Sequence, residues 1–455
     1  MTVTSHELFV FLLMLRFYLG GRIVNEWFKL QERGTTVSTE VVAGMTTFIT
    51  MVYITIVNPA ILSKTGMDFN GVFIATIIAA VIGTLIMGAF ANLPIAIAPG
   101  MGMNAFFAFA VVLATGVSWE KALGAVFVSA VIFVILSFTP FRNVLIDAIP
   151  MSLKYAITAG IGLFITFIGL QSSHIIVASP ATLVTLGRLT EPIPLLTIIG
   201  IIIILSLMVY NIKGAIFIGM VITAIISYFA GFINLPTQFF MAPSGLDQTF
   251  MKMDVAGVFS DGLYAVVFTF LIVTLFDTTG TMIGIAEQAG LMKDGKFPRV
   301  KSALLADAFG SAFGAMLGTS PTSSYVESGA GVAAGARTGL SSIVVAVLLL
   351  LTLFCAPIAQ MLASMPAVTS PALIIVGFFM MSGLRYINWT DTEEGFPAFL
   401  VLFMLPISYS ITTGIGAGLI IYPLLKLVRG KGSSVHPLMY LFMILFIIQM
   451  GFLSH

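Results

Sequence analysis

The chain has 455 residues, 59% of them hydrophobic and only 9% charged, with a mean hydropathy of +1.10. A water-soluble globular protein cannot expose that much hydrocarbon, so the solvent for most of this surface is a lipid bilayer. A net charge of +1 removes the electrostatic basis for binding nucleic acid, and a single cysteine, Cys355, excludes an intrachain disulfide or a cysteine metal site. Cys355 lies in an apolar run and reads as a small buried side chain.

From the N-terminus, LFVFLLMLRFYLG (Leu8 to Gly20) is apolar but short and interrupted by Arg16. No A-x-A-like cleavage site follows, so it reads as an interfacial or poorly ordered leader. Apolar segments on the scale of a membrane crossing, about 20 residues, are then expected at 41–62, 72–92, 94–115, 121–139, 152–171, 193–211, 214–233, 261–285, 301–318, 320–335, 338–362, 371–386, 396–411 and 412–428, fourteen in all. A further segment, 436–453, reads as an extra or interfacial helix. With the N-terminus inside, the cytoplasmic side collects Arg16, Arg22, Lys29, Arg33, Arg142, Lys154, Lys213, Lys293, Lys296, Arg299, Lys301, Arg337 and Arg385, against Lys64, Lys121, Arg188 and Lys252 outside. Lys426, Arg429 and Lys431 also fall inside if 396–428 crosses twice.

Two segments at corresponding places are unusual. PIAIAPGMGMNAFFAFAV (Pro94 to Val111) and GTSPTSSYVESGAGVAAG (Gly318 to Gly335) each carry Pro with Gly or hydroxyl residues first and an ordinary helical sequence after. Each reads as an extended strand breaking into a half-helix. Aligning Pro99 on Pro321 gives an offset of 222 residues with seven spans per repeat, and an odd number inverts the second copy. The fold expected is an all-α polytopic membrane protein with two half-helices meeting near the midplane.

Acids within such segments cost about 2.5 to 3.5 kcal/mol each on insertion scales unless they face a polar cavity or are neutral. Asp277 in VTLFDTTGTMIG and Glu327 in SSYVESGAG both stand among hydroxyls: Thr278, Thr279 and Thr281 beside the first, Thr319, Ser320, Thr322, Ser323 and Ser324 beside the second. The plainer readings are that Glu327 caps its half-helix and that Asp277 steadies a helix end. On the 222 offset Asp277 corresponds to Thr55, and Glu327 to Ala105 beside Asn104, an amide that serves as ligand or as a bond between helices. Asp307 in LLADAFGS reads as a structural acid, capping or paired with Lys301 or Arg299. Phe106, Phe107, Phe276 and Tyr325 flank these positions and are placed to stack on a planar ring, although packing is the plainer role among 39 phenylalanines. His174 reads as a solvated loop residue. No G-x-S-x-G, H-E-x-x-H, P-loop or Cys/His cluster is present, so neither an enzyme nor a bound cofactor is expected, and ATP does not drive this chain by itself.

The blocks ERGTTVSTEVVAGMTTFITMVYITIVNPAIL, PIAIAPGMGMNAFFAF, AITAGIGLFITFIGLQ, LFDTTGTMIGIAEQAGLM, GTSPTSSYVESGAGVAAGARTGLSSIV and SPALIIVGFFM occur in order, and together they resemble the AzgA-like purine permeases of the nucleobase/ascorbate transporter superfamily. The resemblance runs from about Glu32 to Arg429. It implies fourteen spans in a seven-plus-seven inverted repeat, with a leader at 1–40 and a tail at 429–455. A core domain at 41–139 and 261–362 and a gate domain at 152–233 and 371–428 are also implied. So are proton-coupled uptake of purine bases, often as a dimer, in the cell membrane, and a site on Asp277 and Glu327. Asn104 is carried over more cautiously, with Thr278, Ser324, Phe276 and Thr55 as neighbouring candidates for substrate contact. Many relatives have threonine where this chain has Pro321, which bears on the strand before the half-helix.

The mechanism expected is elevator-type or rocking alternating access, with a proton carried by Asp277 or Glu327. Ionised, either acid only accepts hydrogen bonds, which suits the N1–H of hypoxanthine and the N1–H and 2-amino group of guanine. Adenine has a bare N1 and needs a protonated acid or another orientation, so an adenine-preferring permease is the alternative. A same-fold anion exchanger would lack the paired acids, and a channel would need a continuous polar lining.

Overall fold

Ten helices among the described residues are long and apolar enough to cross a membrane. In the computed structural model the described residues are 24–139, 148–292, 299–448 and 450–451. The leader at Leu8 to Gly20 and the cations Arg16, Arg22, Arg142, Lys293 and Lys296 lie outside them. The helices used below are α1 (Val37–Met51), α2 (Ile54–Leu62), α3 (Phe69–Ile86), α4 (Met101–Ala105), α5 (Trp119–Phe138), α6 (Met151–Ser172), α7 (Pro192–Val209) and α8 (Ala215–Phe229) in the first half. In the second half they are α9 (Tyr264–Gln288), α10 (Val300–Leu317), α11 (Ser328–Ala333), α12 (Gly339–Leu351), α13 (Pro366–Met380), α14 (Thr392–Ile407), α15 (Ile411–Val428) and α16 (Pro437–Ile448).

Four of the fourteen expected segments fall short of a full crossing by helix alone. They are Met101–Leu113, Ala215–Phe229, Thr392–Ile407 and, shortest, the six residues of α11. The segments singled out for their Pro, Gly and hydroxyl content behave as read. Strand β1 (Ile97–Pro99) leads into α4 and then a π-helical stretch, Phe106–Leu113, while a second strand (Thr322–Ser324) leads to α11. Between them in sequence lies an outer hairpin of β2 (Ile176–Ser179) and β3 (Leu183–Leu186), so the second buried strand is β4.

β1 and β4 pair antiparallel with Ala98 opposite Ser323. The ladder runs on through Tyr325 N–H to the Ala96 carbonyl and Gly100 N–H to the Pro321 carbonyl, both at 3.0 Å. Pro321 thus sits where its carbonyl is needed and its missing N–H is not. Away from water every outward backbone group of such a ladder needs a partner, and hydroxyls supply them. Thr84 Oγ1 accepts from Ile97 N–H and donates to the Ile97 carbonyl, both at 2.9 Å, and Ser311 Oγ accepts from Thr322 N–H at 2.9 Å. Gly83 and Gly310, each just before its hydroxyl residue, leave no room for a Cβ against Ile97 and Thr322.

The spacing from Ile97 to Thr322 is 225 residues, and that from Thr84 to Ser311 is 227. Both spacings differ from the 222 residues between Pro99 and Pro321.

The helices pack in two sets. α3 lies against α10, α10 and α9 against α5, and α12 against α1 and α3. Separately α6 lies against α13 and α14, α14 against α15, and α7 against α8 and α13. α16, the segment left over in the sequence, packs on α15, and Phe442 and Phe446 also meet Phe268 of α9 at ring separations of 5.2 and 5.9 Å. His174 is exposed as read, but Cys355 is half-buried rather than enclosed.

Candidate functional site

The first membrane helix is interrupted at Val52 and Tyr53. Thr50 and Thr55 flank the break with hydroxyls bonded to the carbonyls of Thr47 (2.7 Å) and Val52 (2.8 Å), and Pro59 inside α2 lacks an N–H for the helical ladder. The break delivers Tyr53, fully buried, to Glu327: its Oη donates to Glu327 Oε1 at 2.5 Å.

Glu327 occupies the cap position of α11, yet its side chain makes no cap bond, so the capping reading does not hold. Asp277, on α9 beside β4, faces the Ser323 hydroxyl and lies within electrostatic range of the Glu327 and Asp307 carboxyls. Asp277 and Glu327, chosen fifty residues apart in sequence, are therefore brought together around the β4 strand. Tyr325 does not stand free to stack: its Oη donates to the Pro99 carbonyl at 2.6 Å and clamps the ladder.

The other candidates divide. Asn104 is fully buried, and among the described residues its Nδ2 reaches only Met101 Sδ on its own helix at 3.9 Å and its Oδ1 has no partner, so no bond between helices is seen there. Ser324 Oγ is likewise buried and unpartnered, as is Thr279 Oγ1. Thr278 turns away from these groups, donating to Asp307 Oδ2 at 2.5 Å. Thr55 spends its hydroxyl on its own helix. Phe276 is buried with Lys154 Nζ 5.6 Å from its ring centre, and Phe106 meets Phe270 edge to face at 4.9 Å.

Asp307 is structural, but not in the way its basic neighbours suggested. It is fully buried and also accepts from Thr322 Oγ1 at 2.9 Å, tying α9, α10 and β4 together. Lys301 lies over the Phe138 ring at 4.4 Å, and Arg299 donates to the carbonyls of Phe90 and Ala91. Among the described residues no salt bridge reaches Asp277, Glu327 or Asp307.

Below Asp277 the same face of α9 continues through Gly280 and Gly284, spaced three and seven residues on, with no heavy atom near where a Cβ would stand. Asp277 itself is half-buried, so it is reached from that open side. Sequence reading missed Tyr53, for which no local signal exists because its partner is 274 residues away, and Ser323, which the run of hydroxyls did contain.

The permease family model Xan_ur_permease matches residues 38–417. Over 429 residues the chain is 52% identical to the guanine/hypoxanthine permease PbuO of Bacillus subtilis (strain 168), spanning 93% of this chain and 99% of that protein. It is 44% identical over 436 residues to the adenine permease AdeP of Escherichia coli (strain K12), spanning 96% and 97%. Among solved structures, the transmembrane domain of a cyanobacterium bicarbonate transporter, BicA, superposes with a TM-score of 0.63 over 84% of this chain and 97% of that one. At 15% identity that likeness speaks to the fold alone.

Proposed function

Because the chain belongs to the Xan_ur_permease family of permeases, in the nucleobase/ascorbate transporter superfamily, we propose that it carries purine bases into the cell, hypoxanthine and guanine before adenine, together with a proton. The observation that supports this most is the grouping of Asp277 and Glu327 at the β1–β4 ladder with neutral donors and, among the described residues, no salt bridge, beside the Asn104 Oδ1 and Ser324 Oγ that lack a partner there. Carboxylates without a basic partner can take a proton or the N–H edge of a neutral ring. The buried amide and hydroxyl can complete the contacts of a heterocycle that offers both donors and acceptors.

The preference for hypoxanthine and guanine rests on their N1–H, which a carboxylate accepts. Adenine is the second reading, favoured by the 44% identity to AdeP. Among the described residues no salt bridge brings a base to Asp277, Glu327 or Asp307, and paired acids oppose an anion, which speaks against anion exchange.

Transport follows the elevator scheme: the set built on α1, α3, α5, α9, α10 and α12 is the moving core, and the set built on α6, α7, α8, α13, α14 and α15 is the gate. The matched braces Thr84 and Ser311, with Gly83 and Gly310, support an inverted repeat of two seven-segment halves. A cytoplasmic N-terminus, the bacterial inner membrane and a homodimer belong to the same reading. The test is uptake of radiolabelled hypoxanthine in cells stripped of their own purine carriers, with guanine, adenine, xanthine and uracil as competitors and a protonophore added. Guanine should compete best and the protonophore should abolish accumulation. Uptake indifferent to the proton gradient would remove the symport, and competition led by adenine would reverse the preference.

A further inference from the structure

Tyr53 has one polar atom, and it is spent on Glu327 Oε1 at 2.5 Å. We infer that Tyr53 is a positioning residue that fixes the Glu327 carboxylate for the purine and so sets apparent affinity. This rests on the purine reading above. The geometry for it is built from both sides. α1 is seated on α11: Thr50 Oγ1 lies 3.4 Å from the Glu327 carbonyl, and Gly331 leaves no space for a Cβ against Thr47 and Ala43. Tyr53 and Glu327 are therefore held as one unit, although they come from helices far apart in the chain.

The Glu327 carboxyl otherwise meets only its own backbone N–H among the described residues, and the phenol is the side-chain donor that limits its rotation about the side-chain torsions. With Oε1 engaged, Oε2 keeps its acceptor sites for a ligand N–H. The phenol also suits both charge states of the acid: it donates to the carboxylate, and its oxygen accepts if the acid is protonated. A hydrogen bond to a charged group corresponds to about 10- to 100-fold in an equilibrium constant.

The test compares Tyr53→Phe, Glu327→Gln and the double variant at matched levels in the membrane, reading KM and maximal rate for hypoxanthine separately. Tyr53→Phe should raise KM about tenfold or more and leave the maximal rate within about twofold, and the double variant should be no worse than Glu327→Gln alone. An unchanged KM, or effects that multiply in the double variant, overturns the inference. So does a Tyr53→Phe protein that fails to reach the membrane when Glu327→Gln does, since that marks a structural role. If the wild type carries no purine, the functional reading falls, but the geometry is still read by infrared difference spectra of the purified protein. The carboxylate band that Glu327→Gln removes should shift in Tyr53→Phe, and an unshifted band overturns the inference by itself.

Discussion

Two groups of acids, each including one buried carboxylate, Asp307 or Glu393, are solved in opposite ways. At the ladder, Asp277, Glu327 and Asp307 meet hydroxyls: Ser323, Tyr53, Thr278 and Thr322. At one end of α14 and α15, Asp391, Glu393 and Glu394 meet three bases. Lys426 Nζ lies 2.8 Å from Glu393 and 3.1 Å from Glu394, Arg429 contacts Glu393 and lies 3.8 Å from Asp391, and Lys431 lies 3.4 Å from Glu393. Ser152 and Tyr422 add donors to Glu394, which draws α6 into the cluster. Acids matched charge for charge hold helices together. Acids matched only by neutral donors keep their charge available to a proton or a ligand.

That contrast breaks most sharply at Lys426, which is only 10% exposed. Lys426→Met takes from Glu393 and Glu394 the one buried base they share, and loss of one partner of a buried pair costs about 3 to 5 kcal/mol. The melting temperature in detergent should fall steeply, Lys426→Arg should keep most of it, and the KM of whatever protein survives should not move. A changed KM at an unchanged melting temperature would put the cluster in the transport site.

The ladder acids should give the reverse pattern. Asp277→Asn and Glu327→Gln should each cut hypoxanthine uptake about 100-fold, close to 2.8 kcal/mol, with the melting temperature shifted by only a few degrees. Asp307→Asn falls between, because the amide replaces one acceptor with a donor and so loses the bond from Thr278 or from Thr322. A stability loss of about 1 to 3 kcal/mol is expected, visible in thermal melts before any effect on competition among purines.

How much of this was legible depended on sequence distance. The strand-to-half-helix segments were readable because Pro, Gly and hydroxyls mark them locally. Asp277 and Glu327 stood out because an acid in hydrocarbon is conspicuous wherever its partner lies. Tyr53 was hidden in an apolar run where a tyrosine is unremarkable, and only the fold shows its oxygen 2.5 Å from Glu327. Glu40 was hidden because it stands just before the first expected span, at 41–62, where an acid is unremarkable. It is fully buried and accepts from the N–H groups of Arg337, Thr338 and Ser341, capping the start of a helix some 300 residues away. Asp307 misled because Lys301 and Arg299 are near in sequence, whereas one helical face directs the acid inward and the bases to other partners. Thr278 misled similarly: a hydroxyl next to the candidate acid Asp277 is turned toward Asp307.

The smallest expected effect isolates burial from charge. Arg429 and Lys426 both contact Glu393, but the Arg429 side chain is 59% exposed against 10% for Lys426. An exposed base remains solvated in the unpaired state and its attraction is screened, so such a contact is worth about 1 kcal/mol or less. Arg429→Ala should therefore lower stability by a small fraction of the Lys426→Met loss, although it removes the same formal charge from the same acid. Added salt should shrink the Arg429 effect further and leave the Lys426 effect nearly intact, because ions reach the first contact and not the second. Equal losses for the two variants would mean that counting charges, rather than burying them, governs this end of the protein.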